Sequence, residues 1–98
     1  MTNRVVLITG ASSGIGAATA RRLAGPGIGF LLHSRGGVDG SKRPALQDLA
    51  EEVSAAGATA EICFSDLATG GSSALVESAV THFGRLDQIV SNAGFALA

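Results

Sequence analysis

Residues 9–16 read Thr9-Gly10-Ala11-Ser12-Ser13-Gly14-Ile15-Gly16, a glycine- and serine-rich stretch set between an apolar run and a segment of helical spacing. The run before it, Arg4-Val5-Val6-Leu7-Ile8-Thr9, is short, β-branched and continuously apolar, as a strand buried on both faces is. The segment after it, from about Gly14 to Ala24, predicts a helix with Ile15, Ala18 and Leu23 inward and Arg21 and Arg22 outward. Ala24-Gly25-Pro26-Gly27 ends it, because glycine accepts a left-handed cap and proline cannot continue a helix. The octapeptide is therefore a strand-to-helix turn.

The same unit recurs along the chain. Gly29-Phe30-Leu31-Leu32-His33, Ala58 to Phe64, and Leu86-Asp87-Gln88-Ile89-Val90-Ser91 predict three more strands. Leu46, Leu49, Ala50 and Val53 recur at i, i+3, i+4, i+7 and predict a helix entered near Pro44 and closed at Gly57. Val76, Ala79, Val80 and Phe83 predict a third, ending at Gly84. Strands separated by helices of this length cannot pair as hairpins. They form right-handed crossovers and a parallel sheet, so the fold class is α/β, a doubly wound sheet.

In such a sheet ligands bind beyond the carboxyl ends of the strands, which is where the octapeptide lies. Backbone N–H groups at a helix N-terminus lack intrahelical acceptors and carry the positive end of the dipole, so a pyrophosphate is stabilised there. Gly10 permits the turn, Gly14 lets phosphates approach the backbone, and Gly16 lets helix and strand pack closely; Ser12 and Ser13 add hydroxyl donors. The spacing, G-x-x-x-G-x-G, differs from the G-x-G-x-x-G fingerprint.

Composition bounds the rest. Ninety-eight residues, 46% hydrophobic and 15% charged, are one domain's worth of globular sequence, read as a single unit over 1–98. A net charge of −1 gives no electrostatic basis for binding nucleic acid or an anionic membrane. The N-terminus has too short an apolar run for a signal peptide or a span, which predicts a cytoplasmic location. The one cysteine, Cys63, has no His or Lys beside it and reads as a small buried hydrophobe. His33 reads as a packed or edge residue of its strand rather than a catalytic base. No metal-ligating cluster is predicted.

TGASSGIG at 9–16, Asp66-Leu67 after the third strand, and Leu86-Asp87 leading into Ser91-Asn92-Ala93-Gly94 resemble the N-terminal half of a short-chain dehydrogenase/reductase. The resemblance covers essentially the whole chain. It implies a Rossmann-like sheet of four strands in the order 3-2-1-4 with three crossover helices, and a dinucleotide cofactor. The implied cofactor-binding residues are Gly10, Ser12, Ser13, Gly14, Ile15, Gly16, Ser34, Arg35, Asp66, Leu67, Asn92, Ala93 and Gly94. Asp66 would accept from the adenine amino group, and Asn92 would border the cofactor nearest the reacting site. At the end of the second strand Ser34 is followed by Arg35, with no acidic residue until Asp39. A guanidinium pairs two oxygens of a 2′-phosphate where a carboxylate would repel it, so NADP(H) is expected over NAD(H).

The family's chemistry uses a tyrosine as acid/base, a lysine four residues later and a serine that polarises a carbonyl. This chain has no tyrosine, and its one lysine, Lys42, follows the second strand. No catalytic residue is therefore assigned. The chain is expected to be a truncated, incomplete domain, inactive alone, of an oxidoreductase whose carbonyl or alcohol substrate binds only to a full-length form. The alternative is a non-catalytic dinucleotide-binding or subunit-pairing module. In the order 3-2-1-4 strand four would be an exposed edge through which the chain could self-associate, and right-handed crossovers would place two helices on one sheet face and one on the other.

Overall fold

The computed structural model describes residues 2–11, 14–34, 43–64 and 71–90. Strand and helix alternate throughout: β1 (Arg4–Ile8), α1 (Gly14–Leu23), β2 (Ile28–Ser34), α2 (Arg43–Ala55), β3 (Thr59–Phe64), α3 (Gly71–Phe83) and β4 (Gln88–Val90). The four strands form one parallel sheet in the order β3-β2-β1-β4, as expected.

Register assigns the side chains to faces. Val6 pairs with Phe30 and Phe30 with Ala60; neighbours paired this way project on the same side. Val6, Ile8, Phe30 and Leu32 pack with Ala20 of α1 and Leu46, Leu49 and Val53 of α2 in one buried cluster. Val5, Leu7 and Leu31 pack on the other side with Leu75 and Ala79 of α3. Two helices thus cover one face and one the opposite face, as right-handed crossovers to both sides of β1 require. The face of α2 is the one its periodicity predicts, and Gly57 closes it. Gly57 has φ +102°, and the Ala58 N–H donates to Val53 O at 3.0 Å, a Schellman closure that a residue without Cβ permits.

Two other helices turn out rotated from expectation. In α1, Ile15 is 72% exposed and Ala18 is exposed, while Gly16 and Ala20 are buried and Ala17 and Leu23 partly so. Small residues carry little hydropathy, so the apolar count points to the wrong side, whereas close approach to the sheet selects the glycine-alanine side. In α3 the buried residues are Leu75 and Ala79, and Val76 and Val80 are 39% and 49% exposed. An apolar stripe that runs through 75, 76, 79 and 80 is too broad for periodicity to set its phase. In the stretch that ends α1 the left-handed residue is Gly27. Strand β4 is shorter than predicted: Leu86 and Asp87 precede it.

Candidate cofactor site

The carboxyl ends of β1 and β2 are tied together by the turn that follows β1. Thr9 is buried and its N–H donates to Val90 O at 3.1 Å; the Ala11 N–H donates to His33 O at 2.8 Å. Between them Gly10 has φ 66°, a left-handed conformation that a Cβ would strain. The chain thereby reverses over the sheet edge and delivers Gly14 as the first residue of α1.

A Cβ at Gly14 would meet nothing within 4 Å. The missing side chain is therefore not required by packing within the chain, and it leaves the first turn of α1 open on its outer side. The N–H groups of Gly14 and Ile15 precede the first possible i→i−4 bond of that helix, so they have no acceptor within it. Gly16 is buried, as close helix-to-strand packing predicts. Open space, donors with no acceptor inside the helix and a dipole's positive end fit an anionic diphosphate.

One strand further out, Ser34 ends β2, 4% exposed, and is paired in register with Phe64, the last residue of β3. The guanidinium of Arg43, the first residue of α2, lies over the Phe64 ring, 4.8 Å from its centroid. Sequence reasoning did not single out this pair. The signal was present in the basic residue that opens the second helix and the aromatic residue that ends the third strand, but joining them needs the β2–β3 register. His33 is buried within β2, a packed strand residue as expected. Cys63 is half-buried against the α3-side cluster, and burial pushes its thiol pKa up, which favours the neutral thiol.

The structure thus brings Gly10, Gly14, Ile15 and Gly16 to the end of β1 and Ser34 to the end of β2. Ser12, Ser13, Arg35, Asp66, Leu67, Asn92, Ala93 and Gly94 lie outside the described residues. Among the described residues no group of three or more His, Cys, Asp or Glu could hold a metal ion, and no helix is long and apolar enough to cross a membrane.

At the opposite end of the sheet a carboxylate anchors the approach to β4. The Asp87 N–H donates to Val5 O at 3.0 Å, and Asp87 Oδ2 accepts from the Val5 N–H at 2.8 Å. Arg85 donates Nε to Oδ2 and Nη2 to Oδ1, each at 2.8 Å. The Arg85 hydrogen bonds first, and the Val5 N–H second, hold the Asp87 carboxyl below the usual carboxylate range. Sequence reasoning used Asp87 only as part of a motif and missed this clasp.

The sequence pattern of the short chain dehydrogenase family matches residues 4–98. The chain belongs to the short-chain dehydrogenases. It is 41% identical over 93 residues to an L-rhamnose 1-dehydrogenase (NAD(P)(+)) of Azotobacter vinelandii, covering 94% of this chain and 36% of that protein. It is similar in fold to a short-chain dehydrogenase of Oenococcus oeni, with a TM-score of 0.85 and 27% identity over 98% of this chain and 42% of that one. It is also similar to a short chain dehydrogenase of Mycobacterium paratuberculosis bound to NAD, with a TM-score of 0.82 and 31% identity, covering 97% of this chain and 38% of that one. This short-chain dehydrogenase chain therefore spans about a third of the length of the curated relatives it matches.

Proposed function

We propose that these residues form the cofactor-binding part of an NADP(H)-dependent oxidoreductase that moves a hydride between a nicotinamide and a carbonyl or alcohol substrate. The observation that carries this reading is the left-handed Gly10 turn, which presents the open first turn of α1 at the carboxyl end of β1. A relative that uses NAD(P)+ and a structural neighbour that holds NAD support the cofactor class.

The backbone N–H groups of Gly14 and Ile15, with the Ser12 and Ser13 hydroxyls, bind the pyrophosphate. Ser34 and Arg35 take the ribose side, where Arg35 pairs the 2′-phosphate of NADP(H). Asp66 and Leu67 meet the adenine, and Asn92, Ala93 and Gly94 border the nicotinamide half. When bound, the cofactor supplies hydride chemistry. The acid/base partner for that hydride is not among these side chains, because the chain holds no tyrosine and only one lysine. The 98 residues accordingly bind the cofactor and do not turn it over alone.

Titration with NADPH and NADH tests the reading. Tighter binding of NADPH, with the preference falling by roughly 10- to 100-fold in Arg35→Ala, is the expected outcome for a lost charge-assisted bidentate pair. Equal affinity for the two nucleotides, or an unchanged preference in the variant, overturns the NADP(H) assignment. Reduction of a carbonyl compound by the 98-residue chain would overturn its inertness.

The second reading, a non-catalytic pairing module, is favoured by the exposed apolar residues Val76, Val80 and Ile89 on α3 and β4. In it a second copy of the chain covers them.

A further inference from the structure

We infer that Arg43, whose guanidinium lies over the Phe64 ring, is a second cation for the 2′-phosphate of NADP(H) and so a determinant of cofactor preference alongside Arg35. The inference rests on the NADP(H) reading above.

Position comes first. Phe64 is the register partner of Ser34, so the two side chains project on the same face, the one covered by α1 and α2. Arg43 opens α2 on that face and at that end of the sheet. The end of β3 lies two strand spacings, roughly 10 Å, from the end of β1. A dinucleotide whose pyrophosphate sits on α1 places its ribose at the end of β2 and carries the adenine onward in that direction. Arg43, which opens the helix after β2, and Phe64, paired with the last residue of β2, therefore flank the ribose position.

Chemistry comes second. A guanidinium over an aromatic ring is attracted by the ring face and keeps its outward N–H groups available to phosphate oxygens. The ring also removes much of the side-chain freedom that binding would otherwise have to freeze. Arg43 is exposed, and among the described residues no carboxylate pairs with it. Arg21 and Arg85, by contrast, are each gripped by a carboxylate. Phe64 is in this scheme a positioning residue: it touches Arg43 and acts through it.

The experiment is a binding cycle with two pairs of probes, NADPH against NADH and adenosine 2′,5′-bisphosphate against 5′-AMP. Circular dichroism checks that each variant is folded. Arg43→Gln should weaken NADPH and the bisphosphate by roughly 5- to 20-fold, a bond or two to a charged group, and leave NADH and 5′-AMP within about twofold. Arg43→Lys should restore part of the loss, since it keeps the charge and not the fork. Phe64→Leu should give a smaller loss of the same kind, confined to the 2′-phosphate ligands; a merely structural role would weaken all four probes alike.

An unchanged NADPH-to-NADH ratio in Arg43→Gln, with the ratio collapsing in Arg35→Ala, overturns the role of Arg43 and leaves the NADP(H) reading standing. An equal loss for all four probes in Arg43→Gln overturns it likewise. Failure of the unsubstituted protein to prefer NADPH at all overturns both.

Discussion

A methyl group at Gly29 would sit 2.9 Å from Cε1 of Phe83 and 3.0 Å from Cγ2 of Thr2, so this position in β2 is closed. Gly29→Ala should cost about 1–3 kcal/mol, read as a lower urea midpoint at unchanged m-value. Gly14 is the opposite case, since a methyl group there meets nothing within 4 Å. Gly14→Ala should leave stability within about 0.5 kcal/mol and yet weaken dinucleotide binding by roughly tenfold or more, because the added carbon stands where a phosphate must approach. Asp87 gives the pH dependence. Its carboxyl is depressed by Arg85 and the Val5 N–H, so its contribution is present above the unfolded carboxylate pKa and is lost as pH falls through the lower folded value. Asp87→Asn should therefore flatten the acid limb of the stability–pH curve and leave its neutral plateau sloped as before. Of these residues only Gly14 carried an expectation from local motif chemistry, whereas Gly29 and Asp87 act on partners far away in sequence.

Helix α2 shows when an element can be read from spacing and α1 and α3 show when it cannot. Leu46, Leu49 and Val53 are large, regularly spaced and flanked by charge, so one buried face satisfies the pattern. Leu49→Ala should cost about 2–5 kcal/mol, as a deleted core isobutyl group does. Ala18→Ser, on a residue whose spacing predicts burial, should change the unfolding free energy by less than about 0.5 kcal/mol, because Ala18 is exposed. Chemical denaturation of both variants checks the pair, and a large loss in Ala18→Ser would contradict the observed phase of α1. The site divides the same way. The turn from β1 into α1 is contiguous in sequence and was legible as a strand-to-helix turn; the placement of Arg43 over Phe64 depends on pairing β2 with β3 and was not.

Among the described residues the sandwich is uneven: two helices cover one side of the sheet, and α3 covers the other. Strand order was legible through the family resemblance, and helix sidedness then followed from crossover handedness. Which apolar groups remain at the surface was not, since that depends on the rotation of α3. Val80 and Ile89, 49% and 54% exposed, are the groups a second copy would bury. Val80→Glu with Ile89→Lys should shift sedimentation toward the monomer at micromolar concentration, and an unchanged profile would exclude this face as the contact. The path of the chain on this side has a consequence for how the molecule opens. The link from β3 through α3 to β4 runs from one margin of the sheet to the other, passing over β2 and β1. It works as a strap: once α3 lifts, β4 is held only by its pairing to β1 and the Asp87 clasp, while β1, β2 and the two helices beneath them keep their own cluster intact. Amide hydrogens of α3 and β4 should then exchange with solvent together and ahead of those in the middle of β2, which marks the strap as the unit that opens first.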